Sequence, residues 1–139
     1  MIILDTNVIS EFFRKQPDDR VISWVKSLTG DVALTAISVA ELLAGVRRLP
    51  HGRRKYRLAH AIENALEPYE NTSALLPFDS VAAHHYADIV VLREQVGRPI
   101  STADAQIAAI CLAHSATCAT RNVKDFVHTG VELFNPWTE

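Results

Sequence analysis

Five short apolar runs are spaced along the chain: "IIL" at 2–4, "VALT" at 32–35, "ALLPF" at 74–78, "TCAT" at 117–120 and "VELF" at 131–134. Strands covered on both faces read as continuous apolar runs, and parallel neighbours need a crossover segment between them. Most of the intervals carry helical periodicity. The alternation predicts a parallel α/β sandwich, with crossover helices covering both faces of a buried sheet.

The intervals give the helices. Thr6 and Asn7 start a short helix carrying Val8, Ile9 and Phe12, and Pro17 with Asp18 opens another, with Val21, Ile22, Val25 and Leu28 on one face. Ser38 precedes "VAELLAGVRRL", which Pro50 and Gly52 end. Arg53 to Glu67 reads as a helix stopped by Pro68, Val81 to about Val96 as one ended by Gly97 and Pro99, and "AQIAAICLAH" as a buried one. Asp125 falls on the connection between the last two strand candidates.

A chain of 139 residues with 48% hydrophobic content can bury one sizeable core, whereas two domains would each be marginal. Residues 1–139 are therefore expected to form a single domain. No apolar stretch reaches the ~18 residues of a membrane span, and no basic leader with a cleavable apolar segment opens the sequence. A soluble, cytoplasmic protein without a membrane partner is expected. Cys111 and Cys118 are too few and too unpatterned for a disulfide scaffold or thiolate metal site, and apolar burial accounts for them.

The formal charge of −2 argues against a uniformly basic nucleic-acid binder. The distribution is more informative. "RRLPHGRRKYR" holds Arg47, Arg48, Arg53, Arg54, Lys55 and Arg57 with no acid among them, so it is either a phosphate-contacting or partner-contacting patch or a solvated turn between helices. Tyr56 within it is open to RNA contact or packing; Trp24 and Trp137 read as packing or interface residues. The six histidines, including His84–His85, form no convincing ligand motif.

In parallel sheets, ligands collect beyond the carboxyl ends of the strands. That rule brings forward Asp5, Glu41, Asp104 and Asp125 as a cluster. Without a cation their charges would repel and raise at least one pKa, and oxygen donors suit magnesium or manganese. Such a site can stabilise charge on a phosphodiester and activate water.

Each acid also has a local structural role open to it. Asp5 can cap the following helix, and Asn7 can cap or orient water. Ser38 and Glu41 have capping-box spacing. Asp104 can meet first-turn amides, with Ser101 or Thr102 as cap, while Arg121, Asn122 and Thr120 surround Asp125 with polar groups on what can be a solvated loop.

"ILDTNVISEF" at 3–12, "ISVAELLAG" at 37–45, "STADAQIAA" at 101–109 and "ATRNVKDF" at 119–126 together resemble the PIN-domain nucleases, especially VapC-like toxins and FitB-type proteins. "LFNPW" at 133–137 resembles the FitB-type ending. The resemblance implies a PIN-like three-layer α/β/α sandwich with a short central parallel sheet. It implies a Mg²⁺-dependent or Mn²⁺-dependent endoribonuclease toxin, in which metal-activated water attacks RNA. Asp5, Glu41, Asp104 and Asp125 correspond to the four family acids, with Thr6, Asn7, Thr120 and Asn122 in support and Thr120 holding the fourth carboxylate or a water. A homodimer is implied, neutralised by a small antitoxin that binds operator DNA.

Two rivals share these features: a weakly active or non-enzymatic regulatory subunit of a DNA-bound complex, and a DNA nuclease. A haloacid-dehalogenase-like phosphatase would want a second aspartate two residues after the first, where Asn7 stands. No Walker-type or GxGxxG cradle is present.

Overall fold

The computed structural model describes residues 1–139. Its strands are β1 (Ile2–Leu4), β2 (Val32–Thr35), β3 (Leu75–Leu76), β4 (Thr117–Ala119) and β5 (Glu132–Phe134). The helices are α1 (Thr6–Glu11), α2 (Asp19–Ser27), α3 (Ala36–Arg47), α4 (Arg53–Leu66), α5 (Ser80–Gln95), α6 (Thr102–Ala113) and α7 (Val123–Phe126). All four strand pairs are parallel, in the order β3-β2-β1-β4-β5.

Alternation along each strand separates two cores, because successive side chains leave opposite faces. Ile3, Ala33, Leu76 and Cys118 point to one face and pack with α5 and α6. Leu4, Leu34 and Ala119 point to the other, where Val8, Val21, Leu42, Val46, Ile62 and Leu66 of α1 to α4 cover them. The result is the expected three-layer α/β/α arrangement. No helix is long and apolar enough to cross a membrane.

The direction of chain travel explains the layering. From β1 the chain moves outward through β2 to β3, then crosses back to enter β4 on the other side of β1. Right-handed crossovers running in opposite lateral directions place their helices on opposite faces. The reversal lies between β1 and β4, where carboxyl-end loops diverge and leave a crevice.

Local details differ from the sequence reading in three places. Helix α3 starts two residues before Ser38: Thr35 is its N-cap, accepting from the Ser38 amide at 3.1 Å, so no Ser38–Glu41 capping box forms. A fully buried Thr35 at the strand's end reaches that amide first. Asp125 lies in the short helix α7, within a segment too short to show periodicity. Tyr56 is 75% exposed and does not pack, whereas Trp24 stacks on Phe134 at 4.7 Å as a packing residue would. Cys111 and Cys118 are buried and free, as expected.

Candidate acidic site

Asp5 directly follows β1 and caps α1, its Oδ1 accepting from the Thr6 amide at 2.8 Å. Capping leaves its Oδ2 facing the crevice partners. That oxygen accepts from the Thr120 hydroxyl at 2.8 Å and from Asn7 Nδ2 at 3.2 Å. Asn7 in turn accepts from the Arg121 amide at 3.2 Å through Oδ1, pinning the exit of β4 to α1. Thr120 thus holds the first acid, Asp5, and not the fourth as expected, because it leaves β4 immediately beside β1.

Glu41 arrives from α3. Its Oε1 accepts from the Thr6 hydroxyl at 2.7 Å, and the same hydroxyl lies 2.9 Å from Ser38 Oγ. Thr6 consequently ties together the two acids expected to neighbour each other, one through its amide and one through its hydroxyl. Asp104 stands in the first turn of α6, where Ser101 is the cap and accepts from the Asp104 amide at 3.2 Å.

Asp5, Glu41 and Asp104 line one cleft of about 480 Å³, with Thr6, Asn7 and Asn122 on the same wall. Asp125 does not line it, although its charge acts on Asp104. Asn122 is the N-cap residue of α7 but makes no side-chain cap, and its amide donates to Thr120 Oγ1 at 3.0 Å.

The electrostatics show carboxylates held against their preference. Burial pushes the Asp5 carboxyl up to about 6, the Thr120 and Thr6 hydrogen bonds oppose that rise, and the charges of Asp104 and Glu41 add to it. Asp104 is also raised, first by burial and further by Asp125 and Glu41, with Ser101 and Arg93 pulling the other way. Two arginines also line the cleft: Arg14 pairs through Nη1 with Glu11 at 3.2 Å, and Arg121 lies over the Trp137 ring at 5.2 Å.

As placed, no three His, Cys, Asp or Glu side chains form a group that could hold a metal ion. The acids share a cleft without converging on one point. Their chemistry nevertheless fits a hard divalent cation, since every donor is an oxygen and burial and mutual repulsion raise the Asp5 and Asp104 carboxyls.

Five wall residues were not legible as site residues: Ser10, Glu11, Arg14, Arg121 and Trp137. Glu11 and Arg14 carry an i,i+3 charge spacing, the one local signal that could have drawn attention to them. Arg93 was also missed. It is 5% exposed on α5 and donates through Nη1 to the carbonyls of Asp125 and Val127 at 2.8 and 3.0 Å, fixing α7.

The basic segment divides. Arg47, Arg48, Arg53, Arg54 and Arg57 are exposed, whereas Lys55 is half-buried and donates to the Arg47 carbonyl at 3.0 Å, capping the end of α3. Arg54 and Arg48 line separate grooves that each also contain Glu41.

A parallel α/β sheet with an acidic oxygen-donor cleft at its topological switch point is the class that this fold and site define. The chain belongs to the PIN-domain family: the PIN domain model matches residues 2–131. It is 45% identical over 138 residues to toxin FitB of Neisseria gonorrhoeae, covering 99% of each chain. It is 38% identical over 138 residues to the VapC ribonuclease Y4jK of Sinorhizobium fredii, covering 99% of this chain and 98% of the relative. The solved structure of FitAB bound to an IR36 DNA fragment superposes with a TM-score of 0.92 at 44% identity, covering 100% of this chain and 97% of that one.

Proposed function

We propose that this chain is a metal-dependent endoribonuclease toxin, with residues 1–139 acting as one PIN-like domain in the cytoplasm. The observation that carries the reading is the gathering of Asp5, Glu41 and Asp104 on one cleft with Asp5 pushed up to about 6. Kinship with FitB and with a VapC ribonuclease supports RNA as the substrate. Likeness to FitAB in its DNA-bound form supports neutralisation by a small antitoxin that holds operator DNA, with the toxin as a homodimer.

Asp5, Glu41 and Asp104 would hold Mg²⁺, or Mn²⁺ in its place, and Asp125 would adjust the charge at Asp104. When bound, such an ion neutralises charge on a phosphodiester and lowers the pKa of an attacking water. The chain's own contribution is orientation. Thr120 and Asn7 fix one oxygen of Asp5, the Thr6 amide fixes the other, and the Thr6 hydroxyl sets Glu41 against it. Positioned donors of this kind cost little reorganisation during reaction. Among the basic residues, Arg54 and Arg48 are best placed for RNA, Arg47, Arg53 and Arg57 for RNA or a partner, and Lys55 chiefly secures α3.

Partner-free protein should cut RNA in Mg²⁺ or Mn²⁺, spare DNA of the same sequence, and stop in EDTA. A folded Asp5→Asn protein should be inactive. Equal cutting by Asp5→Asn, or cutting of DNA alone, would remove this reading.

A further inference from the structure

Glu11, at the end of α1, is 2% exposed. A buried carboxylate is costly unless its charge is matched. Its Oε2 accepts from the Asp18 amide at 2.7 Å, and its two oxygens lie 3.3 and 3.2 Å from Arg14 Nη1. The pairing uses one corner of the guanidinium. Nε and Nη2 of Arg14 make no hydrogen bond within the chain, and the side chain is 57% exposed. Arg14 is thus anchored by one nitrogen and open at the others, the geometry of a preorganised fork for a phosphate.

Its position gives that fork a purpose. Arg14 lines both the acidic cleft and an adjoining groove of about 740 Å³, and Thr6, Ser10 and Glu41 are shared by the two. The charge of the walls reverses across this boundary. On the cleft side four acids, Asp5, Glu11, Glu41 and Asp104, outnumber Arg14 and Arg121; on the groove side Arg14, Lys15 and Arg54 face Glu41 alone. The groove also has an apolar floor, with Phe13, Leu42, Val46, Leu58 and Ile62. Cations that track a backbone beside apolar and aromatic surface suit an unpaired strand.

We propose that Arg14, aimed by the buried Glu11, binds the phosphate next to the one cleaved and turns the RNA strand from the acidic cleft into the Arg54 groove. This rests on the nuclease reading above. Arg14 is a specificity and positioning residue in this account, and Glu11 is what holds it.

The test uses a short fluorescein-labelled RNA of mixed sequence, bound in EDTA at several salt concentrations and cleaved in Mg²⁺. Arg14→Ala should bind about tenfold more weakly, the loss expected for one charge-assisted contact. The slope of log affinity against log salt should fall by about 0.7, the increment for one phosphate of a single strand. Cleavage should show a raised KM with kcat little changed. Arg14→Lys should restore the slope, and Lys26→Ala, away from both cavities, should leave it as in wild type.

A merely structural role for Arg14 would alter melting but not the salt slope. Wild-type slope and KM in a folded Arg14→Ala protein, with Asp5→Asn still inactive, would overturn the proposal and leave the nuclease reading standing. If wild type fails to cleave, that reading falls, and so does the adjacent-phosphate proposal that rests on it.

Discussion

Thr120, the first residue beyond β4, donates a 2.8 Å hydrogen bond to Asp5, the first residue beyond β1. The two strands are neighbours at the point where the sheet reverses direction, so one hydroxyl fixes a carboxylate at the mouth of the crevice. Thr120 is fully buried and also accepts from the Asn122 amide. Replacing it by Val leaves these groups without their partner and should cost about 1–3 kcal/mol in urea unfolding. It also removes the interaction that lowers Asp5, so the acid limb of the cleavage profile should move to higher pH, and Thr120→Ser should restore it.

The raised Asp5 carboxyl makes stability depend on pH. Its ordinary value is 3.8 and its folded value about 6, so the folded protein holds this proton more tightly than the unfolded chain. The stabilising contribution is complete below about pH 4 and is lost as pH rises through about 6, amounting to about 3 kcal/mol. In metal-free buffer, Asp5→Asn should therefore be more stable than wild type above pH 6 and similar near pH 4. Thermal melts across that range check the sign, and added Mg²⁺ should stabilise wild type only.

Arg93 binds the carbonyls of Asp125 and Val127 from a buried position on α5. Arg93→Met strands those carbonyls and the Arg98 carbonyl that Nε holds, and should destabilise the fold by about 3 kcal/mol or more through loss of three charge-assisted bonds. Hydrogen exchange should quicken first in α7, residues 123–126. RNA cleavage should fall with it, because α7 carries the acid that acts on Asp104.

Lys55 and Arg54 are adjacent in sequence and should separate by experiment. Lys55→Met removes the cap on the last turn of α3 and should cost about 0.3–1 kcal/mol of stability with little change in RNA affinity. Arg54→Ala should leave stability within about 0.5 kcal/mol and weaken RNA binding, since its exposed side chain lines the groove beside Glu41. Paired urea and RNA titrations distinguish the two.

Much of the architecture was readable because strand burial and helix periodicity leave local marks. "IIL" and "VALT" became β1 and β2 with their expected limits, and the pattern from Arg53 ends within one residue of α4. Asp5 and Asp104 were readable as strand-end and helix-start acids; Glu41, expected three residues after a Ser38 cap, lies beyond the first turn of α3, and all three line one cleft. What escaped depends on distance in the chain. The Thr120–Asp5 bond spans 115 positions, and the Arg93 contacts span 32 and 34. Neither leaves a local pattern. The Ser38–Glu41 spacing misled for the opposite reason: a local rule was satisfied, but Thr35 competed for the same amide.

Anomalous scattering from a Mn²⁺-soaked crystal of the partner-free protein tests the central claim most directly. The account predicts a peak inside the cleft bounded by Asp5, Glu41 and Asp104, absent from a folded Asp5→Asn crystal treated identically. No peak there in wild type, or one that persists unchanged in Asp5→Asn, would contradict it.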